Sequence, residues 1–223
     1  MAEGHPPRLL ELFCGTKSVG KTAKQFGYDV TSVDILKKFE PSICCDIMDF
    51  DYKRYPVGHF KYIHASPPCT EFSFAKSMGV RKIAEATAIV MKAMEIIEFL
   101  KPKYWCVENP LGWLRYQPCM KPYAIYLTTV CYCKYGFAYK KNTDLWTNVP
   151  YGPRPRCIKG SFCEHKARYG IHGGTVQSGP PHIPGIEGMP DRPRQNGTNL
   201  LATRYAIPAE LLADLLCHDI FIV

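Results

Sequence analysis

Apolar residues along this chain gather into short runs, each closed by a glycine, a proline or an acidic residue. Residues 8 to 13 (Arg-Leu-Leu-Glu-Leu-Phe) read as a first buried strand. The strand runs into Cys14-Gly15-Thr16-Lys17-Ser18-Val19-Gly20-Lys21, and the pattern then predicts a helix through about Phe26. Tyr28 to Val33 and Ser42 to Cys45 predict two more strands, ending at Asp34 and Asp46. Phe60 to Ile63 predicts another. Pro67 and Pro68 stop the chain soon afterwards, since neither has an N–H for a sheet ladder. From Ile83 to Leu100 the period becomes helical, with Ile89, Ala93, Ile96 and Ile97 on one face, and Lys101-Pro102 ends it. Tyr104 to Val107 predicts a fifth strand, leading into Glu108-Asn109-Pro110. Pro208 then stands near the first turn of a helix over Ala209 to Leu216. Strands alternating with helices predict an α/β fold.

Open α/β sheets keep their ligands at the carboxyl ends of the strands, and polar residues collect there in this chain. Gly15, in the first strand-to-helix turn, lets a ligand approach the backbone, and the helix N-terminus favours negative charge. Asp34 stands nineteen residues beyond Gly15 and can bind both ribose hydroxyls of a nucleoside cofactor. Asp46, at the next strand end, is placed to meet an adenine amino group. The residues from Gly15 to Thr22 also satisfy G-x-x-x-x-G-K-[ST], so an NTPase phosphate loop is the competing reading. Cys69 follows the two prolines at a stiff strand-to-loop corner, and Glu108 is delivered by another strand end. Taken singly, such a cysteine more often packs as a small hydrophobe, and a turn carboxylate more often faces solvent. Their shared placement marks the pair.

At 223 residues the chain makes one domain, or one with a small annex, and its 46% hydrophobic content suffices for a core. Twenty-eight Lys and Arg against 20 Asp and Glu leave a formal charge of +8, which favours a polyanionic partner. The apolar runs fall far short of a membrane span, and Met-Ala-Glu-Gly-His lacks the shape of a signal peptide. Eleven cysteines without such a signal predict an intracellular, reducing compartment, where they are thiols or metal ligands.

Leu10-Glu11-Leu12-Phe13-Cys14-Gly15, Ser66-Pro67-Pro68-Cys69 and Glu108-Asn109-Pro110 resemble motifs of the cytosine-C5 DNA methyltransferases, in order and at suitable separations. The resemblance covers residues 8 to 149. The compact chain, with Lys140 to Asn148, is most similar to the short enzymes of phages and large DNA viruses. It implies a Rossmann-like S-adenosylmethionine-dependent methyltransferase fold that methylates C5 of a flipped-out cytosine in double-stranded DNA. It implies Cys69 as the nucleophile, Glu108 at the N3/N4 edge of the base, and Lys141 and Thr143 near the base or a phosphate. Phe13, Gly15, Ser18, Asp34, Ile35, Asp46, Ile47 and Ser66 would line the cofactor pocket, which reassigns the glycine turn from phosphate to S-adenosylmethionine. Lys17 stands where the family's first motif has a second glycine, Thr70 where glutamine is common, and Lys141 and Thr143 where arginines are frequent. A tRNA cytosine-C5 methyltransferase and a binding protein without turnover are the rival readings. The expected enzyme is a monomer, in the host nucleus or cytoplasm if viral.

The large target-recognition domain of restriction-system enzymes is absent. Residues 150 to 199, rich in proline, glycine and basic side chains, read as an irregular recognition region. It would lie between a catalytic domain, 1–149, and a C-terminal helical segment, 200–223, that returns to it. Cys157, Cys163 and His172 form a tetrahedral Zn²⁺ site if Cys133, on the preceding strand with Cys131, closes it. His172 is preferred to His165, which follows Cys163 too closely, and scattered thiols without metal are the alternative. Zinc would staple the loops so that Arg154, Arg156, Lys159 and Lys166 lie against DNA phosphates.

Overall fold

The computed structural model describes residues 5–74, 76–137, 140–157, 163 and 206–217. One seven-stranded sheet has the order β3-β2-β1-β4-β5-β7-β6. Five strands are parallel: β1 (Arg8–Leu12), β2 (Asp29–Asp34), β3 (Ile43–Cys44), β4 (Tyr62–Ala65) and β5 (Tyr104–Pro110). β7 (Asn142–Thr147) lies antiparallel between β5 and β6 (Leu127–Cys131). The chain thus has the Rossmann-like architecture expected of it, with a reversed strand inserted near one edge.

Helices cover both faces, so β1 reads as a nearly continuous apolar run: Leu9, Leu10 and Leu12 are all fully buried. Strand alternation then divides the core. Leu10, Leu12, Ile63, Ala65, Trp105, Val107 and Trp146 pack with α2 (Ile83–Leu100) on one face. Leu9, Tyr62, Cys106 and Leu145 pack with α1 (Ser18–Gln25) and α3 (Ala209–Leu216) on the other. Helix α2 ends at Lys101, whose left-handed φ of 46° turns the chain into β5. Among the described residues no helix is long and apolar enough to cross a membrane.

Three features differ from the sequence reading. The fifth strand does not stop at Val107, because β7 pairs alongside it and matches Glu108 with Leu145 and Asn109 with Asp144. Glu108 is therefore held within a ladder rather than in a free turn. Cys131 does end β6, but Cys133 sits in a 3₁₀ turn, Tyr132–Tyr135, that curls back before Gly136 at φ 84°. Arg154 is not free for a phosphate. Its guanidinium donates to the Lys134 carbonyl at 2.7 Å, stacks 4.6 Å from the Tyr135 ring and pairs with Glu210 and Asp214 of α3. Arg156 is exposed, and Lys159, Lys166, His165 and His172 lie outside the described residues.

Candidate active site and thiol cluster

A cavity of about 700 Å³ opens at the carboxyl ends of the parallel strands. Phe13, Gly15, Ser18, Asp34, Ile35, Asp46, Ile47 and Ser66 all line it, as do Cys69, Glu108 and Lys141. Thr143 is not among the lining residues. It is fully buried, two places beyond Lys141 on β7 and paired with Pro110 and Val130.

The turn after β1 has an unusual backbone. Phe13, Gly15 and Lys17 all take left-handed φ values, of 60°, 46° and 58°. For Phe13 and Lys17 such a conformation costs roughly 1–3 kcal/mol each, so the surroundings must hold it. Asp34 supplies much of that hold. Its Oδ2 accepts from the Gly15 N–H at 2.9 Å, and its Oδ1 from the Leu36 N–H at 2.8 Å. Each oxygen keeps a further lone pair for a ligand. Asp46 accepts from the Met48 N–H at 2.9 Å and caps the following 3₁₀ turn. Ile35 is 60% exposed on the cavity wall, apolar surface that a purine face would cover.

The same geometry overturns the phosphate-loop reading. Gly20 lies inside α1, where a Cβ would stand 2.6 Å from a Glu11 carboxylate oxygen, and Lys21 is exposed on the outer face. A phosphate cradle needs backbone N–H groups free before the helix starts. Here the Gly20 N–H is donated to Glu11 at 3.1 Å.

Glu11 is itself a titrating group. Burial pushes its carboxyl from an ordinary 4.5 up to about 7, while the N–H groups of Gly20 and Val19 and the Lys17 ammonium pull it down. A folded-state value above the unfolded one means that stability is full below pH 4.5 and is lost as pH rises through 7. The loss is on the order of 3 kcal/mol. Urea denaturation between pH 5 and 8 is expected to show this fall, and Glu11→Gln to flatten it. An unchanged slope in the variant would assign the effect elsewhere.

Cys69 is half-buried at the corner after β4. The Asn109 amide donates to the Pro67 carbonyl at 3.0 Å, tying the Pro-Pro corner to β5. The Cys69 carbonyl accepts from Phe72 and Ser73 at 3.1 and 2.9 Å, which bends the following loop over the site. That loop docks on Gly112, where a Cβ would meet the Phe72 carbonyl oxygen at 2.3 Å, so only glycine fits. Arg81 completes the brace by donating to the carbonyls of Glu71, Ser73 and Lys76.

The charged partners sit on the α1/α3 side of the sheet. Glu108 Oε1 accepts from the Tyr132 hydroxyl at 3.0 Å and lies 3.7 Å from the Lys141 ammonium. That ammonium stands 4.6 Å over the Tyr132 ring. Burial pushes the Cys69 thiol up, the Glu108 carboxylate pushes it further, and Lys141 pulls it back. Burial chiefly, and the Glu108 charge in addition, favour the thiol form of Cys69. Sequence reasoning missed Tyr132, since an aromatic in a short turn reads as core packing. It also missed the clamp of Arg115, which donates from Nε to Asp144 at 2.8 Å and from Nη2 to Thr129 at 2.6 Å, fixing β7 against β6.

A second cluster lies at the C-terminal end of β6, next to Tyr132. The sulfurs of Cys133, Cys157 and Cys163 are within 4.8 Å of one another and all three residues are buried. Cys131 joins them, with its sulfur 3.3 Å from that of Cys133. The Cys133 thiol and the N–H groups of Cys133 and Cys157 lower the Cys131 pKa.

The model of the C-5 cytosine-specific DNA methylase family matches residues 9–117. A Frog virus 3 (isolate Goorha) protein described as a DNA (cytosine-5)-methyltransferase is 28% identical over 225 aligned residues, covering 94% of this chain and 98% of the viral one. A solved structure of a protein from an E. coli prophage, described as a DNA modification methyltransferase, aligns at TM-score 0.44 with 16% identity. That alignment covers 63% of this chain and 46% of the prophage one.

Proposed function

We infer, from the match of residues 9–117 to the C-5 cytosine-specific DNA methylase family model, that this protein is a DNA (cytosine-5-)-methyltransferase using S-adenosylmethionine. The observation that carries the reading is one cavity lined both by Cys69, Glu108 and Lys141 and by the paired turns that Asp34 clamps. The cofactor, when bound, supplies an electrophilic methyl group. Phe13, Gly15, Ser18, Asp34, Ile35, Asp46, Ile47 and Ser66 would hold it, the carboxylates on its polar rims and the apolar side chains on its base.

Cytosine C5 is a poor nucleophile, so the chain must activate it. Cys69 releases its proton to solvent and its sulfur bonds to C6, which moves an electron pair onto C5. Glu108 engages the N3/N4 edge, and a proton passed from its carboxyl to N3 offsets the negative charge that develops there. Lys141 and Tyr132 hold Glu108 at that edge. After methylation a water takes the C5 proton, the C5–H electron pair expels Cys69 as a thiolate, and that thiolate picks up a proton to restore the thiol. C6 is shielded within a duplex, so the target base must leave the stack. The +8 charge suits a DNA backbone.

Conversion of cytosine in duplex DNA, read by bisulfite sequencing after incubation with protein and S-adenosylmethionine, tests the reading. Methylation of tRNA and not of duplex DNA would replace it with the RNA alternative. Asp34→Ala is expected to weaken S-adenosylmethionine binding by ~1–3 kcal/mol, since it removes an acceptor and frees two N–H groups. Calorimetric titration checks this, and an unchanged affinity would remove Asp34 from the pocket. For the thiol cluster, three buried sulfurs within 4.8 Å favour Zn²⁺ over unpartnered thiols.

A further inference from the structure

The thiol cluster stands apart from the methyl-transfer cavity, and no step of the reaction uses it. Tetrahedral Zn²⁺ with Zn–S bonds near 2.3 Å sets its sulfurs about 3.8 Å apart. Cys133, Cys157 and Cys163 are mutually within 4.8 Å, and Cys133 lies 3.9 Å from Cys163 and 3.3 Å from Cys131, which meets the group through Cys133. Cys131 and Cys157 are both buried and pack in one cluster with the other two sulfurs.

We propose that Cys131, Cys133, Cys157 and Cys163 bind one Zn²⁺ as a closed four-thiolate site, and that this site positions Tyr132 against Glu108. The proposal rests on the zinc reading of the three-thiol cluster and deepens it by replacing His172 with Cys131. Four thiols release their protons as the metal binds, and a site with no open position is structural rather than catalytic. Its placement gives it a consequence for catalysis. Tyr132 is the one residue between Cys131 and Cys133, so the metal fixes the turn on both sides of it. The fully buried Tyr132 ring then reaches across the sheet to donate to Glu108 at 3.0 Å. Cys157 and Cys163 come from the segment after β7, so the same ion ties that segment to the end of β6. Tyr132 is in this sense a positioning residue.

Metal content and cobalt spectroscopy test the proposal on the full chain, purified without chelator. One equivalent of zinc is expected, and the Co²⁺-substituted protein should show the thiolate charge-transfer intensity of four sulfurs, a readout that requires no variant. Cys131→Ser is expected to lower zinc affinity roughly a hundredfold or more in competition with a chromophoric chelator, whereas His172→Ala should bind as the wild type does. Cys131→Ser and Tyr132→Phe should each lower kcat roughly tenfold with the KM for S-adenosylmethionine unchanged, and only Tyr132→Phe should keep its zinc. No zinc, with all four cysteines titrating as free thiols, would overturn the metal reading itself. Zinc that survives Cys131→Ser unweakened and is lost in His172→Ala would keep the metal and overturn this ligand set. Loss of zinc with kcat intact would overturn the link to Tyr132.

Discussion

Cys69→Ser is expected to abolish methyl transfer, a loss of at least about 10⁴-fold, while S-adenosylmethionine still binds. A serine hydroxyl at this corner is far less acidic than a thiol, so the bond to C6 is not made. The pocket side is insulated from the change, because Asp34 and the turns it clamps are held by backbone hydrogen bonds that do not involve Cys69. Duplex DNA containing 5-fluorocytosine gives the positive form of the same experiment. Fluorine at C5 blocks the final deprotonation, so the wild-type protein should accumulate a covalent adduct. Peptide mapping should place that adduct on Cys69. An adduct on any of the other ten cysteines, or an active enzyme that forms none, would remove Cys69 from the mechanism.

Glu108→Gln separates two roles that a simple loss of activity would merge. Methylation should fall by about 10²–10⁴-fold, the usual worth of a positioned acid or base. The reactivity of Cys69 in the free protein should move the other way. Burial is the larger cause of its raised pKa, but the Glu108 carboxylate adds to it, and glutamine removes that charge while Lys141 remains. Alkylation of Cys69 by iodoacetamide at pH 8, followed by mass spectrometry, should therefore be faster in the variant. In the wild type the rate should still be climbing with pH at pH 9, because the folded thiol lies above its ordinary value of 9.0. A variant whose Cys69 reacts more slowly would show that Glu108 does not restrain the thiol.

Much of this site was legible because it is built from strand ends. Asp34, Asp46 and Cys69 each follow a short apolar run, and the signals that end those runs are local in sequence. Glu108 was located by the same means, though its setting was not. What pairs with it, β7, arrives from residues 142–147 and runs the opposite way. No local signal distinguishes a reversed strand from a parallel one. Lys17 illustrates a departure whose physical cost could be named in advance, and its φ of 58° is the strained conformation that a glycine would relieve. Tyr132 and Cys131 were illegible for a different reason. Strand periodicity continued through Cys133 on paper, whereas the chain leaves the sheet at Tyr132 and curls. That one change of direction brings the two sulfurs together and turns the tyrosine toward Glu108, 24 residues away in the chain.

The cavity wall contributed by Ile207 also bears on how the protein is made. Its N–H donates to Ser18 Oγ at 3.2 Å across 189 residues of chain, and α3 then covers α1. During synthesis the clamped turns at Gly15 and Asp34 leave the ribosome early, and domains tend to fold from the N-terminus. The nascent chain nevertheless carries a pocket with one side open, and the apolar face of α1, with Val19 and Ala23, stays wet until α3 arrives. Ligand-linked stabilisation requires a completed site. Cellular S-adenosylmethionine can thus protect the finished enzyme but cannot guide its early folding, and the interval before α3 docks is the one in which a chaperone would find something to hold.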